Sequence, residues 1–240
     1  MRAVAWFSCG AASAVMAKLA QERYGKDLDV VYCWTMPTEH FDNHRFFVDV
    51  EEWLGQKITL LRSTKYQTVD QVFMERRYMA GPKGAPCTVE MKKIPRWRYS
   101  RPDDINLFGF TVEEGNRIAR FEENNPELIF DWILRDQKIT KAECLQRLKD
   151  AGIKPPVMYS LGFRNNNCLG CVKSTSPKYW SLTREHFPEV FQRRVSQSRE
   201  LNVRLVQLKG KRIFLDELPQ GILPGRQSPI SCGPECGTQS

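Results

Sequence analysis

The chain has 240 residues, 41% of them hydrophobic, which is enough for a real core and excludes a disordered or low-complexity polypeptide. No apolar run approaches the roughly 20 residues that span a bilayer as a helix, and no apolar leader precedes Cys9, so a soluble protein resident in the cytoplasm is expected. The net charge of +8 suits an anionic nucleotide or a polyanion, although a solvated Lys/Arg surface also produces it.

Val4 to Phe7 is a short apolar run, and Ser8-Cys9-Gly10-Ala11-Ala12-Ser13 follows it and leads into good helix formers from Ala14 to Ala20. This reads as strand, tight loop and helix. The two serines and the lightly shielded backbone at a helix start offer hydroxyls and N–H groups to a phosphate or sulfate. An ordinary βα turn with a serine cap is the alternative. Leu28 to Trp34 predicts a second strand, parallel to the first. Ligands of such units gather at the carboxyl ends of the strands, so the loop should share a crevice with the segment from Thr35 to Asn43, with His40 and Asn43 as lining candidates.

Asn43 to Leu54 predicts a helix ended by Gly55, Lys57 to Arg62 a third strand, and the segment through Val69 and Met74 another helix. The glycine- and proline-rich stretch from Ala80 to Pro86 delivers Cys87 to a helix N-terminus, a position that lowers a thiol's pKa and suits a thiolate ligand. Next comes a basic cluster, Lys92, Lys93, Arg96, Arg98 and Arg101, interleaved with Trp97 and Tyr99. It fits a phosphate-rich ligand or a solvated helix face. Ile105 to Phe110 predicts a fourth strand, with a capping box at Thr111 to Glu114 opening a helix towards Phe121. Residues 126 to 151 predict two helices, and Cys144 in the second reads as a small core residue, as does Cys33 in its strand.

Eight cysteines in a reducing compartment point to metal, cluster or redox chemistry before disulfides. Cys168 and Cys171, opened up by Gly170 and followed by Lys173, can place both sulfurs on one metal or cluster. Tyr179 to Leu201 predicts a helix, and Val203 to Leu208 with Arg212 to Leu218 a hairpin turning at residues 209–211. Residues 221–240 are expected to be a flexible tail carrying Cys232 and Cys236, and residues 1–220 a single domain.

The spacing of Cys87 from Cys168 and Cys171, with Cys87 opening Cys-Thr-x-x-x-Lys-x-x-Pro, resembles the sulfonucleotide reductases. These are the adenosine 5′-phosphosulfate (APS) and 3′-phosphoadenosine 5′-phosphosulfate (PAPS) reductases of the PP-loop adenine-nucleotide superfamily. Ser8 to Ser13 is similar to their phosphate-binding loop, and Glu235-Cys236-Gly237 to their terminal Glu-Cys-Gly.

The resemblance implies an α/β fold with a mainly parallel twisted sheet and flanking helices. It implies an adenine nucleotide (PAPS, APS or ATP) at Ser8, Cys9, Gly10, Ala11, Ala12 and Ser13, with help from Thr35, His40, Lys93, Arg96 and Lys173. It implies a [4Fe–4S] cluster on Cys87, Cys168 and Cys171, attack by Cys236 with Cys232 as a resolving thiol, and charge neutralisation by Lys92. A thioredoxin- or glutaredoxin-type electron donor and a homodimer belong to the same expectation.

Two departures stand out: Pro86 occupies the place of a fourth cluster cysteine, leaving Cys9 or a non-cysteine ligand to compensate, and the tail ends without the family's usual histidine. An open iron also suits the PP-loop thiolases, which use ATP to place sulfur on nucleic acid. Those enzymes carry an acidic residue where this chain has Ala12, so the loop leans towards a sulfonucleotide. A non-catalytic nucleotide-binding relative is a further alternative.

Overall fold

The computed structural model describes residues 1–81 and 84–227. Five strands form one all-parallel sheet in the order β3-β2-β1-β4-β5: β1 (Ala3–Phe7), β2 (Leu28–Cys33), β3 (Thr59–Leu61), β4 (Ile105–Phe108) and β5 (Ile129–Phe130). The α/β class and parallel sheet expected from the sequence are thus present. β1 lies at the centre, with Ala3 opposite Leu28 on one side and Ile105 on the other.

Every residue of β1 is buried, because both faces of a parallel sheet are covered by helices. Its alternate positions separate two cores. Ala3, Ala5 and Phe7 pack with α1 (Ala11–Tyr24), α2 (Asp42–Leu54), and residues of α7 (Ile133–Asp136) and α8 (Lys141–Asp150). Val4 and Trp6 face an aromatic cluster of Phe108, Phe110, Phe121 and Trp132, the third of these from α6 (Gly115–Glu123). The two-residue period of the strand makes this division. On that second face the Trp6 indole N–H donates to Asn106 Oδ1 at 2.9 Å, so the buried asparagine of β4 has its partner inside the sheet.

A further apolar cluster holds α3 (Val69–Arg76), the cysteine-rich segment and the C-terminal helices together. It comprises Phe73, Met79, Met91, Phe163, Cys171, Tyr179, Trp180, Phe191 and Leu215 among others, with Cys87 packed against it. Here α4 (Pro86–Thr88) runs through a π-helical turn (Val89–Lys93) into α5 (Ile94–Tyr99), and α9 (Val157–Ser160) precedes the cysteine pair.

Four expectations need correction. The segment from 126 to 151 contains β5 as well as helices α7 and α8, because Ile129 and Phe130 pair with the edge of β4. The single helix expected over 179–201 is two, α10 (Pro177–His186) and α11 (Pro188–Glu200). Phe187 precedes a proline and is driven out of the helical region to φ −138° and ψ 61°, which breaks the run. The hairpin is shorter than expected, β6 (Val206–Leu208) with β7 (Lys211–Ile213), turning through Lys209 and Gly210, both at positive φ. Residues 215–217, expected as strand, form a 3₁₀ turn in which the Phe214 N–H donates to Glu217.

Residues 221–227 of the tail are tethered. Arg184 donates to the carbonyls of Leu218, Pro219 and Gly221, the Leu223 N–H donates to Ser181 Oγ, and Gln227 exchanges hydrogen bonds with Arg164 N–H and the Gly162 carbonyl. Cys232 and Cys236 lie outside the described residues. No helix among the described residues is long and apolar enough to cross a membrane.

Candidate functional site

The strand order reverses between β1 and β4, and the carboxyl ends of these two strands open a crevice of the kind that binds ligands in parallel α/β sheets. A cleft with about 760 Å³ of empty space, open to solvent at its mouth, lies there. Ser8, Gly10, Ala12 and Ser13 form one wall and Gly109, Phe110 and Thr111 another. Glu39, Lys92, Lys141, Tyr159, Asn166 and Cys168 reach in from elsewhere in the chain.

Ser13 ties the loop after β1 together. Its Oγ accepts from the N–H of Ser8 at 3.1 Å and of Gly10 at 3.3 Å, and its hydroxyl donates to the Gly10 carbonyl at 2.9 Å. The next N–H, of Ala11, donates to the Tyr159 hydroxyl oxygen at 3.2 Å. Three amides of the expected cradle therefore have acceptors within the protein, and the phenol oxygen stands where a ligand oxygen would meet the helix N-terminus. Burial raises the Tyr159 phenol to about 12 even with backbone N–H groups of Ala11 and Asn166 on its oxygen. It is therefore a neutral O–H group at ordinary pH.

Gly109 is the reason β4 can approach this loop. A Cβ there would sit 2.7 Å from both Cα and N of Ser13 and 3.0 Å from the carbonyl carbon of Ala12. Cys9 takes a left-handed conformation, φ 58°, with a wholly buried side chain whose thiol donates to the Asn43 carbonyl at 3.5 Å. Burial and the neighbouring Glu39 carboxylate push that thiol's pKa well up, so Cys9 rests as a neutral thiol.

A buried polar chain joins the loop to the cysteine segment. Glu39 accepts from Tyr32 OH at 2.9 Å, Thr35 Oγ1 at 2.5 Å and Asn43 Nδ2 at 2.6 Å. Asn166 Nδ2 in turn donates to Asn43 Oδ1 at 2.8 Å and to the Cys9 carbonyl at 2.6 Å. Thr35 thus acts on the cleft through Glu39.

His40 stands apart from the cleft lining: it packs against the tilted ring of Phe41 and meets Phe187 edge-on, accepts the Asp42 N–H at Nδ1, and is shifted towards its neutral form by burial. Asp42 below it is held ionised by Arg45, against its own burial.

The basic residues divide. Lys92 lines the cleft, as do Arg117, whose guanidinium lies 4.0 Å from the Phe110 ring centre, and Lys141. Lys141 Nζ donates to the Arg164 carbonyl and Asn165 Oδ1, while burial and the charge of Arg164 push its pKa down to about 8. Lys93 and Arg96 are buried behind the cleft rather than on a solvated helix face, with Lys93 Nζ 6.0 Å from the Trp97 ring. Lys173 faces a different hollow, shared with Arg204 and Arg212.

Of the expected cluster ligands, Cys168 lines the cleft, whereas Cys171 and Cys87 pack in the C-terminal apolar cluster. Cys168 and Cys171 are buried and Cys87 half-buried. The Leu169 N–H donates to the Thr38 carbonyl at 2.8 Å, and the Cys171 N–H to Tyr179 OH at 2.7 Å, so the pair is pinned from both sides. Gly170 between them sits at φ 61°. Among the described residues no group of three or more His, Cys, Asp or Glu side chains is gathered to hold a metal ion. Cys144 is a core residue as expected, with its thiol pushed up to about 12 by burial.

Glu39, Gly109, Arg117, Lys141, Tyr159 and Asn166 were not among the site residues expected from the sequence. Glu39 lies in the Thr35–Asn43 segment expected at the crevice and Asn166 in the triple asparagine before Cys168, whereas Gly109, Arg117, Lys141 and Tyr159 are remote from the loop along the chain and marked by no local motif.

No protein-family model matches this chain, and no curated protein matches it. Among solved structures, a crystal structure of phosphoadenylyl-sulfate (PAPS) reductase from Candida auris, in a phosphate complex, is similar over 70% of this chain and 82% of its own. The sequence identity is 11% and the TM-score 0.49.

Proposed function

We propose that this chain is a sulfonucleotide reductase-like enzyme that takes PAPS or APS and yields sulfite and an adenosine nucleotide. The observation that carries the reading is the convergence, on one cleft at the β1/β4 crevice, of the Ser8–Ser13 loop, Lys92 and Cys168. Loop hydroxyls and lysine ammonium groups suit the phosphosulfate, and Ala12 stands where the thiolases carry an acidic residue. The Cys236 thiolate attacks the sulfonyl sulfur, an S–S bond forms, and the S–O bond breaks with its electron pair leaving on the nucleotide phosphate. Lys92 and Lys141 neutralise that leaving charge. Cys232 or a thiol of a thioredoxin- or glutaredoxin-type donor then attacks Cys236 sulfur, closing a disulfide and expelling sulfite with the bonding pair.

Chain length supports the assignment of Cys236. Gln227 is fixed on the Gly162–Arg164 segment that leads to Cys168, and the nine residues from there to position 236 can extend over at most about 30 Å.

Cys87, Cys168 and Cys171 are the residues that would hold a [4Fe–4S] cluster, whose charge would add to the electrostatics of the site. The described residues do not supply a metal-binding set by themselves, and no step above passes through it. Anaerobic iron and sulfide analysis tests that part: near-zero iron removes the cluster from the reading.

The test of the reaction is turnover of PAPS and APS by anaerobic protein with a dithiol donor, following sulfite and trapping the S-sulfonate by mass spectrometry. Wild type is expected to form the adduct on Cys236, and Cys236→Ala to form none. Full activity in Cys236→Ala overturns the mechanism.

One observation favours the thiolase alternative: Glu39 places a carboxylate in the same cleft that Ala12 deprives of one. Consumption of ATP with sulfur transfer to nucleic acid, and no reaction with sulfonucleotides, would establish that reading instead.

A further inference from the structure

The hydrogen-bond chain through the cleft has a fixed direction, and it ends on an atom that lacks a partner. Glu39 presents a carboxylate, which accepts hydrogen bonds when ionised, so Asn43 must turn its NH₂ group towards it. Asn43 therefore presents its Oδ1 to Asn166, and Asn166 must answer with its own NH₂ group. The Cys9 carbonyl, also an acceptor only, takes the other Nδ2 proton. A flip of either amide would set acceptor against acceptor, so the orientation is dictated by the network. Both donors of Asn166 are thus used inside the protein.

What remains is Asn166 Oδ1. The residue is only 7% exposed, it lines the cleft beside Cys168, and its Oδ1 has no hydrogen-bond partner. A buried amide oxygen without a donor is costly, and native proteins rarely leave one so. Sulfate and fully ionised phosphoryl oxygens cannot satisfy it, because they are acceptors only and would be repelled. A hydroxyl or an amine can.

We propose that Asn166 Oδ1 is a specificity-determining acceptor for a neutral hydrogen-bond donor on the bound ligand, a ribose hydroxyl or the adenine amine, so that the cleft selects a nucleoside-bearing anion over a bare one. This rests on the nucleotide reading above and sharpens it. The loop, Tyr159 and Lys92 serve the anionic end, and Asn166 serves the donor. A ligand lacking that donor leaves Oδ1 buried and unpaired, as it is in the free protein, and is expected to bind about 5- to 100-fold more weakly than one that supplies it.

The experiment measures, by calorimetry on the full-length anaerobic protein, binding of AMP, 2′-deoxy-AMP, 3′-deoxy-AMP, purine riboside 5′-monophosphate and inorganic phosphate. One of the three modified nucleotides is expected to bind 5- to 100-fold more weakly than AMP, and in Asn166→Ala that difference is expected to vanish. Because Asn166→Ala also removes the bonds to Cys9 and Asn43, a second readout uses unmutated protein. AMP is expected to shift the Asn166 side-chain NH₂ resonances downfield, through polarisation of its carbonyl, and the deficient analogue to leave them in place.

Equal binding of AMP and all three analogues overturns the proposal while leaving the nucleotide reading intact. So does a sensitive analogue whose deficit persists in folded Asn166→Ala, or one that moves the Asn166 resonances as AMP does. PAPS, APS and ATP are titrated in the same way, and failure of these three and AMP all to bind removes the nucleotide reading, and the proposal with it.

Discussion

Gly109→Ala tests whether the end of β4 sets the shape of the loop. The backbone at Gly109 needs no positive φ, so the substitution acts through space alone. The added methyl would stand 2.7 Å from two backbone atoms of Ser13, where ordinary contact begins near 3.4 Å, so the strand and the loop must part by about 0.7 Å. The obstacle is backbone at the first turn of α1, so no side-chain rotation relieves it. Overpacking of this kind costs typically about 1–3 kcal/mol.

The same displacement pulls Ser13 Oγ from the N–H groups of Ser8 and Gly10 and widens the cleft at its floor. Because misplacement by about an ångström can cost on the order of 100-fold in a positioned reaction, turnover is expected to fall more than stability. Urea denaturation and sulfite release on the purified protein measure the two effects. Gly115→Ala is the control, since a Cβ there meets nothing within 4 Å and alanine suits a helix start better than glycine. A Gly109→Ala protein with wild-type stability and turnover would refute the close-approach reasoning.

Tyr159→Phe removes the acceptor of the Ala11 N–H and is expected to cost about 1–3 kcal/mol, read from the urea midpoint. The lowered pKa of Lys141, about 8 against 10.5, means that the unfolded chain holds more protons between those values. Stability should therefore rise with pH across that window, and Lys141→Met should abolish the rise; affinity for an anionic nucleotide should fall above about pH 8 in wild type and stay flatter in the variant. Asp104 is buried against its charge, yet Arg2 and the Arg101 N–H outweigh burial and hold its pKa below 3.8. Its stabilisation is complete above that value and disappears as pH falls through the lower folded value, so acid unfolding of Asp104→Asn should show a shallower slope there.

The sheet was legible wherever periodicity and punctuation agreed. β1, α1 and β2 follow one another with a clear apolar rhythm, and the Thr111 to Glu114 capping box closes as expected, the Thr111 N–H donating to Glu114 at 3.1 Å. β5 was not legible, since two residues carry no period and become strand only by pairing with β4. The break at Phe187 had a written signal in Pro188, but the amphipathic spacing on both sides concealed it.

Within the site, Ser8 to Ser13 and Cys168 could be read because they sit in local motifs. Lys141 and Tyr159 could not, because the fold of the later part of the chain alone brings them to the loop, whereas Glu39 lies in the segment after β2 that was expected at the crevice. Lys92, Lys93 and Arg96 show the limit of charge patterning: the pattern is that of an exposed basic helix, yet all three are buried.

On the proposed reading the loop is an anion site whose amides are already met by protein oxygens. Ser13 accepts the N–H groups of Ser8 and Gly10, and Tyr159 that of Ala11, so a phosphoryl or sulfonyl oxygen that uses these amides must displace a protein oxygen rather than a water. Such an exchange conserves the number of hydrogen bonds and gains mainly from charge, since an anion draws on the helix dipole and a neutral hydroxyl does so far less. A bare phosphate gains only that difference. A nucleotide adds the partner for Asn166 Oδ1, on a side chain already joined to the Cys9 carbonyl and through Asn43 to Glu39. The same asparagine belongs to the segment carrying Cys168, so on that reading a nucleoside held by Asn166 would lie beside Cys168 at the loop.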